Sequence, residues 1–181
     1  DLAAQGHPSV KIFLSFKRFD RNVEGFLKAM RIAAEVGSVM LLHCEDAALM
    51  GCCGELVREA GLTSHRHYPE TRPVVAERIA TERAIGFCEI SGAATYIVHL
   101  SSQEALDVCR GGRARGLPLY VETRPIYLHL DRTRFDEPDG AKYAGAPPLR
   151  QKQDQAALWA GVVDGAVSTV ATDHAPWTLE Q

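Results

Sequence analysis

Three apolar runs in this 181-residue chain end on a side chain able to bind a divalent metal. LLHCED carries His43, YIVHLSS carries His99, and STVATDH carries Asp173 followed by His174. Imidazole and carboxylate are the donor types that zinc and related ions prefer. Lys11, in VKIFLSF, is the odd member of the set, because an ammonium in a strand covered on both faces needs a partner or a modification. A buried lysine tends toward the neutral amine, and a neutral amine reacts with carbon dioxide to give a carbamate, an anion able to bridge two cations. Taken singly, each residue has a plainer reading. His43 or His99 would be a strand-end histidine with its hydrogen bonds satisfied, Asp173 a helix N-cap ahead of Ala175 and Pro176, and Lys11 a snorkelling side chain. All four at strand positions point to a site. His65 and His67 form a His-x-His pair, but they lie in SHRHYPETRP with no strand to fix them, so metal binding is not expected there.

Elements of regular structure must carry these residues to one place. Strand-length runs rich in Val, Ile, Tyr and Phe occur at Val10–Phe16, Val39–His43, Thr95–Leu100, Leu117–Glu122 and Val167–Thr172. They are near-continuous rather than alternating, which suits strands covered on both faces. Helical patterns fall between them at Asn22–Val36, Ala47–Ala60, Val74–Ser91, Ser102–Arg115 and Gln151–Val163. In the first helix Val23, Phe26, Leu27, Met30 and Ala34 share a face, and Gly37 is placed to stop it. Gly61, Gly92 and Gly116 are placed to end three more. Alternating strands and helices predict an α/β fold of parallel β/α units with right-handed crossovers. In a barrel of such units the C-terminal strand ends converge on one rim, so ligands far apart in sequence meet there. The two longer connections, Thr63–Arg72 and Leu128–Arg150, have the length of lids or substrate loops.

Composition sets the outer bounds. A hydrophobic share of 46% with 24% charged residues is that of a globular chain with a filled core. A net charge of -3 and no basic run give no reason to expect nucleic acid or an anionic membrane as partner. No apolar stretch is long enough to cross a bilayer, and DLAAQGHPSV lacks the regions of a signal peptide. The five cysteines are odd in number and read as free thiols of a reducing cytoplasm. The chain opens without Met and enters a strand almost at once, which reads as an interior segment of a longer polypeptide.

VKIFLSF, LLHCED, HRHYPETRPVVAERIATERAI, YIVHLSSQEAL, VETRPIYLHL, GAPPLR and TDHAP together resemble the cyclic amidohydrolase family that includes dihydropyrimidinase, hydantoinase, allantoinase and dihydroorotase. The resemblance runs through most of the chain and is specific to the dihydropyrimidinase-like branch. It implies a (β/α)8 TIM barrel of the metal-dependent amidohydrolase type. Residues 1–181 would form a partial barrel domain supplying about the fourth to the eighth strands. It further implies two divalent metal ions, with zinc the expected element. Lys11, carboxylated by carbon dioxide, would bridge them. His43 and His99 would bind the second metal and Asp173 the first, whose His-x-His pair would come from upstream. The reaction implied is hydrolysis of a cyclic amide C–N bond by a metal-bridging hydroxide, with Asp173 carrying a proton to the departing nitrogen. A cytoplasmic homotetramer and a small cyclic amide substrate are implied as well.

Two departures from the family pattern bear on the substrate. The family places a tyrosine five residues after the bridging lysine, where this chain has Phe16. Loss of one oxyanion donor costs roughly 2.7–4 kcal/mol of transition-state stabilisation. Ala146 stands where the family has a serine before Pro-Pro. Gly145, Ala146 and Arg150, with Phe16, are the expected substrate-binding residues. The alternatives are an allantoinase- or dihydroorotase-like hydrolase acting on another ring, and a non-enzymatic dihydropyrimidinase-related assembly protein. Retention of Lys11, His43, His99 and Asp173 argues against the assembly protein.

Overall fold

The structure is a computed structural model and describes residues 2–175. Five strands, β1 (Ser9–Phe13), β2 (Val39–His43), β3 (Thr95–Ile97), β4 (Leu119–Thr123) and β5 (Thr169–Val170), lie in that order in one sheet, and every neighbouring pair is parallel. Parallel neighbours need a crossover between them. Those crossovers hold α2 (Val23–Val36), α3 (Ala47–Glu59), α4 (Val74–Ser91), α5 (Gln103–Ala114) and α7 (Lys152–Asp164), with two short helices at α1 (Lys17–Asp20) and α6 (Pro125–His129). Among the described residues no helix is long and apolar enough to cross a membrane.

Register sorts the strand residues into rows. Val10, Met40, Thr95 and Leu119 form one row, and Ile12, Leu42, Ile97 and Val121 the next. Ile12, Met40, Leu42, Ile97, Leu119 and Val121 are buried in the core with Met30 and Ala33 of α2, Ala80, Ala84 and Ile85 of α4, and Leu106 and Cys109 of α5. The opposite face carries Lys11, Leu41, Tyr96 and Tyr120 in a single row. Here Lys11 is exposed and Tyr120 is 45% exposed. Within residues 2–175 helices cover one face, and the strands alternate as their period of two requires. The near-continuous apolar lettering arises because Leu41, Tyr96 and Tyr120 are apolar or aromatic residues of the second face.

The helices match the sequence pattern closely because their ends are locally encoded. Asn22 caps α2 by accepting from the Gly25 N–H at 3.2 Å, and Asp46 caps α3 by accepting from the Ala48 and Leu49 N–H groups at 3.0 and 2.9 Å. Gly37 and Gly92 close α2 and α4 in the left-handed conformation. Strand ends differ more. β1 stops at Phe13 because the chain turns into α1, and β3 stops at Ile97 instead of running to Leu100.

The two long connections are not open loops. Residues 65–71 form a 3-10 helix, as do 132–136 and 140–143, and Phe135 is buried. They dock on each other: His65 Nε2 donates to the Glu137 carbonyl at 3.1 Å, Arg66 to the Asp136 carbonyl at 3.1 Å, and Arg132 pairs with Glu70 at 2.7 Å.

Candidate metal-binding site

His43 is the last residue of β2 and shares its face with Lys11 and Leu41, by the alternation of the strand. His99 has the parity of Thr95 and Ile97, so a continued strand would aim it at the helices. Its φ of 41° breaks the alternation, an uncommon conformation for a residue other than glycine. The His99 N–H donates to Glu122 Oε1 at 3.0 Å, and the adjacent Leu100 N–H donates to the Glu122 carbonyl at 2.7 Å. β4 thus holds the turn that redirects His99.

The outcome is a pair of buried imidazoles. His43 is 4% and His99 2% exposed, their rings lie edge to face at 4.6 Å, and His43 Nδ1 is 3.0 Å from His99 Nε2. Burial pushes His99 down to about 3, with the charges of His43 and Lys11 adding to the effect, so it is the neutral imidazole that metals bind. Glu45 sits at 0% exposure and accepts from His43 Nε2 at 2.7 Å. Burial alone would raise the Glu45 carboxyl, but hydrogen bonds from His43 and Arg72, with their charges, overcome it and hold it at about 2. With Nε2 donating to Glu45, Nδ1 is the His43 ring nitrogen left to face His99. His99 Nδ1 finds no hydrogen-bond partner among the described residues.

These features fit a divalent ion. The two imidazoles present facing nitrogens at 3.0 Å, near the roughly 3.3 Å expected between two nitrogens that share a tetrahedral zinc ion. The fit covers half of the expected set. Lys11 Nζ lies 4.9 Å from the centre of the Phe13 ring, which in turn is 5.3 Å from the His43 ring, so its amine stands at the border of the pair. Within residues 2–175 Lys11 is exposed. Asp173 has a φ of 49° and faces Arg124 at 3.9 Å; with Arg124, Thr172 and His174 it lines a separate cavity of about 340 Å³. Among the described residues no three His, Cys, Asp or Glu side chains are gathered as a metal would need, so Asp173 is not brought to the histidines.

The expected substrate residues separate in the same way. Phe16 is 46% exposed and lies tilted against Phe13, ring centres 5.2 Å apart, with the Arg18 guanidinium over its ring. Gly145 and Ala146 are half-buried, and the Gly145 carbonyl accepts from the Tyr68 hydroxyl at 3.0 Å. Arg150 is corrected: it is buried, donating to Ser101 Oγ at 2.9 Å and the Arg72 carbonyl at 2.6 Å, beside Glu77 at 3.5 Å. A guanidinium so committed braces the fold instead of reading a ring. Glu45, Arg72, Glu77 and Glu122 escaped the sequence reading. The available signal was position: Glu45 stands two residues after His43, and Arg72 ends the docked connection.

No family model matches the chain. It is 40% identical over 182 aligned residues to a D-phenylhydantoinase of Escherichia coli O9:H4 (strain HS), covering 99% of this chain and 39% of that protein. Among solved structures it is similar to D-hydantoinase from Bacillus sp. AR9, with a TM-score of 0.93, 34% identity, and 98% of this chain against 39% of that one. It is similar also to D-hydantoinase (dihydropyrimidinase) from Thermus sp., with a TM-score of 0.91, 37% identity, and 96% of this chain against 39% of that one. The chain thus spans about two fifths of the length of the relatives it matches.

Proposed function

We propose that this chain, by sequence and fold a hydantoinase-like segment of an α/β barrel, carries half of the metal centre of a cyclic amidohydrolase. The reaction is hydrolytic opening of a dihydropyrimidine or hydantoin ring. The observation that carries this reading is the buried His43 and His99 pair with facing nitrogens. These two residues would hold one divalent ion, with zinc favoured by the nitrogen donors. Lys11, as its carbamate, would bridge to a second ion shared with Asp173. When bound, such a pair supplies Lewis acidity, which acidifies a water and polarises the scissile carbonyl.

The chain's own residues do the remaining work. The Asp173 carboxylate accepts a proton from the attacking water and delivers it to the departing ring nitrogen. The backbone around Gly145 and Ala146 orients the ring. Phe16 contributes an apolar wall without a hydroxyl donor, so oxyanion stabilisation falls to other groups. The assembly proposed is a homotetramer, on family resemblance. The compartment proposed is the cytoplasm, supported by five free cysteines.

The test uses the full-length protein prepared with zinc. His99→Ala should lose about one zinc per subunit and at least a hundredfold in hydrolysis of dihydrouracil and hydantoin while keeping its circular dichroism. Unchanged zinc content in His99→Ala would overturn the assignment. A wild-type protein with less than one zinc per subunit would favour a non-enzymatic assembly protein.

A further inference from the structure

We infer that Glu45 and Arg72 form a positioning pair that fixes the tautomer of His43 and thereby makes Nδ1 its metal-facing atom. The inference rests on the metal reading of His43 and His99. Glu45 is 0% exposed, and its surroundings leave neither carboxylate oxygen idle. Oε2 accepts from His43 Nε2 at 2.7 Å, and Oε1 accepts from Arg72 Nε at 3.0 Å. Arg72 Nη2 also pairs with Oε2, so the guanidinium fork meets the carboxylate on both sides.

A buried carboxylate of this kind is costly without a counter-charge, and Arg72 supplies it. Arg72 is itself fixed. Its carbonyl accepts from Arg150 Nη1 at 2.6 Å, and the following residue, Pro73, leads into α4. The brace therefore runs from the body of the fold through Arg72 and Glu45 to the His43 ring. With the ring proton held at Nε2, the lone pair at Nδ1 is aimed at the neighbourhood of His99 Nε2, 3.0 Å away. Glu45 is not a ligand in this arrangement, because both its oxygens are engaged. Its place is that of the outer partner that orients a metal-binding imidazole.

The experiment is a zinc titration against a competing chelator on the full-length protein, comparing wild type, Glu45→Ala and His43→Ala. Glu45→Ala should lower affinity at one of the two sites by about 10- to 100-fold, and His43→Ala should abolish that site. Wild-type affinity at both sites in Glu45→Ala would overturn the inference. Unchanged zinc binding in His43→Ala would instead overturn the metal reading beneath it. A readout that needs no Glu45 variant is the tautomer of His43 in the zinc-free wild-type protein. It is read by long-range nitrogen correlation with selectively labelled histidine and assigned by its loss in His43→Ala. A proton at Nε2 is expected. A proton at Nδ1 would refute the pair's role even if Glu45→Ala fails to fold.

Discussion

In LLHCED each of four consecutive residues does a different job. His43 faces the other imidazole, Cys44 fills the core, Glu45 accepts a hydrogen bond from His43 Nε2, and Asp46 caps α3. HLSS repeats the economy: His99 joins the pair, Leu100 is core, Ser101 donates to Glu77, and Ser102 caps α5. Behind both stands the buried contact of Glu77 with Arg150. Burial raises the Glu77 carboxyl, against the Arg150 charge and the hydrogen bonds of Ser101 and Ser102. A raised carboxyl holds its proton more tightly in the folded state, so its contribution favours folding at low pH and is lost as pH rises through the folded value. Removing Arg150 raises it further. Arg150→Met should therefore cost about 3–5 kcal/mol near pH 7.5 and clearly less near pH 5, measured by urea unfolding of the full-length protein. A deficit equal at both pH values would show that Arg150 does not stabilise a charged Glu77.

At the scale of elements, helices were legible and strand ends were not. The period of α2 and the caps at Asn22 and Asp46 are written within a few residues of where they act. His99 is different: its turn away from strand parity depends on Glu122 of the neighbouring strand, a contact across 23 positions. The two long connections were legible in extent but not in kind, because their packing depends on bonds between them. Gly140 is one point of that packing, since an added Cβ would sit 2.7 Å from the Arg134 carbonyl oxygen and 3.0 Å from the His65 ring. Gly140→Ala should cost about 1–3 kcal/mol and speed proteolytic cutting between residues 130 and 145. Wild-type melting and cutting would mean that the docking does not confine this segment.

For the whole molecule, the sheet ends on β1 and β5 as outer strands among the described residues. Apolar side chains lie open near both the first elements and the last strand: Leu2 is 52%, Ile32 57%, Val36 53% and Val170 47% exposed. Open strand edges beside apolar surface promote pairing with other chains. Residues 1–181 expressed alone should sediment as a heterogeneous mixture, whereas a single monomeric species with cooperative unfolding would contradict this. The metal site was legible only as a list of residues. His43, His99, Lys11 and Asp173 were picked by type and strand position, but only the two histidines meet, because Asp173 follows a two-residue strand and turns to Arg124.

The central claim is that His43 and His99 hold one ion between them. Anomalous diffraction at the zinc edge from crystals of the full-length protein grown with zinc tests it most directly. A peak bonded to both His43 Nδ1 and His99 Nε2 is the predicted result. The claim would be contradicted by zinc bound elsewhere in the same crystals while these two nitrogens stay hydrogen-bonded to each other.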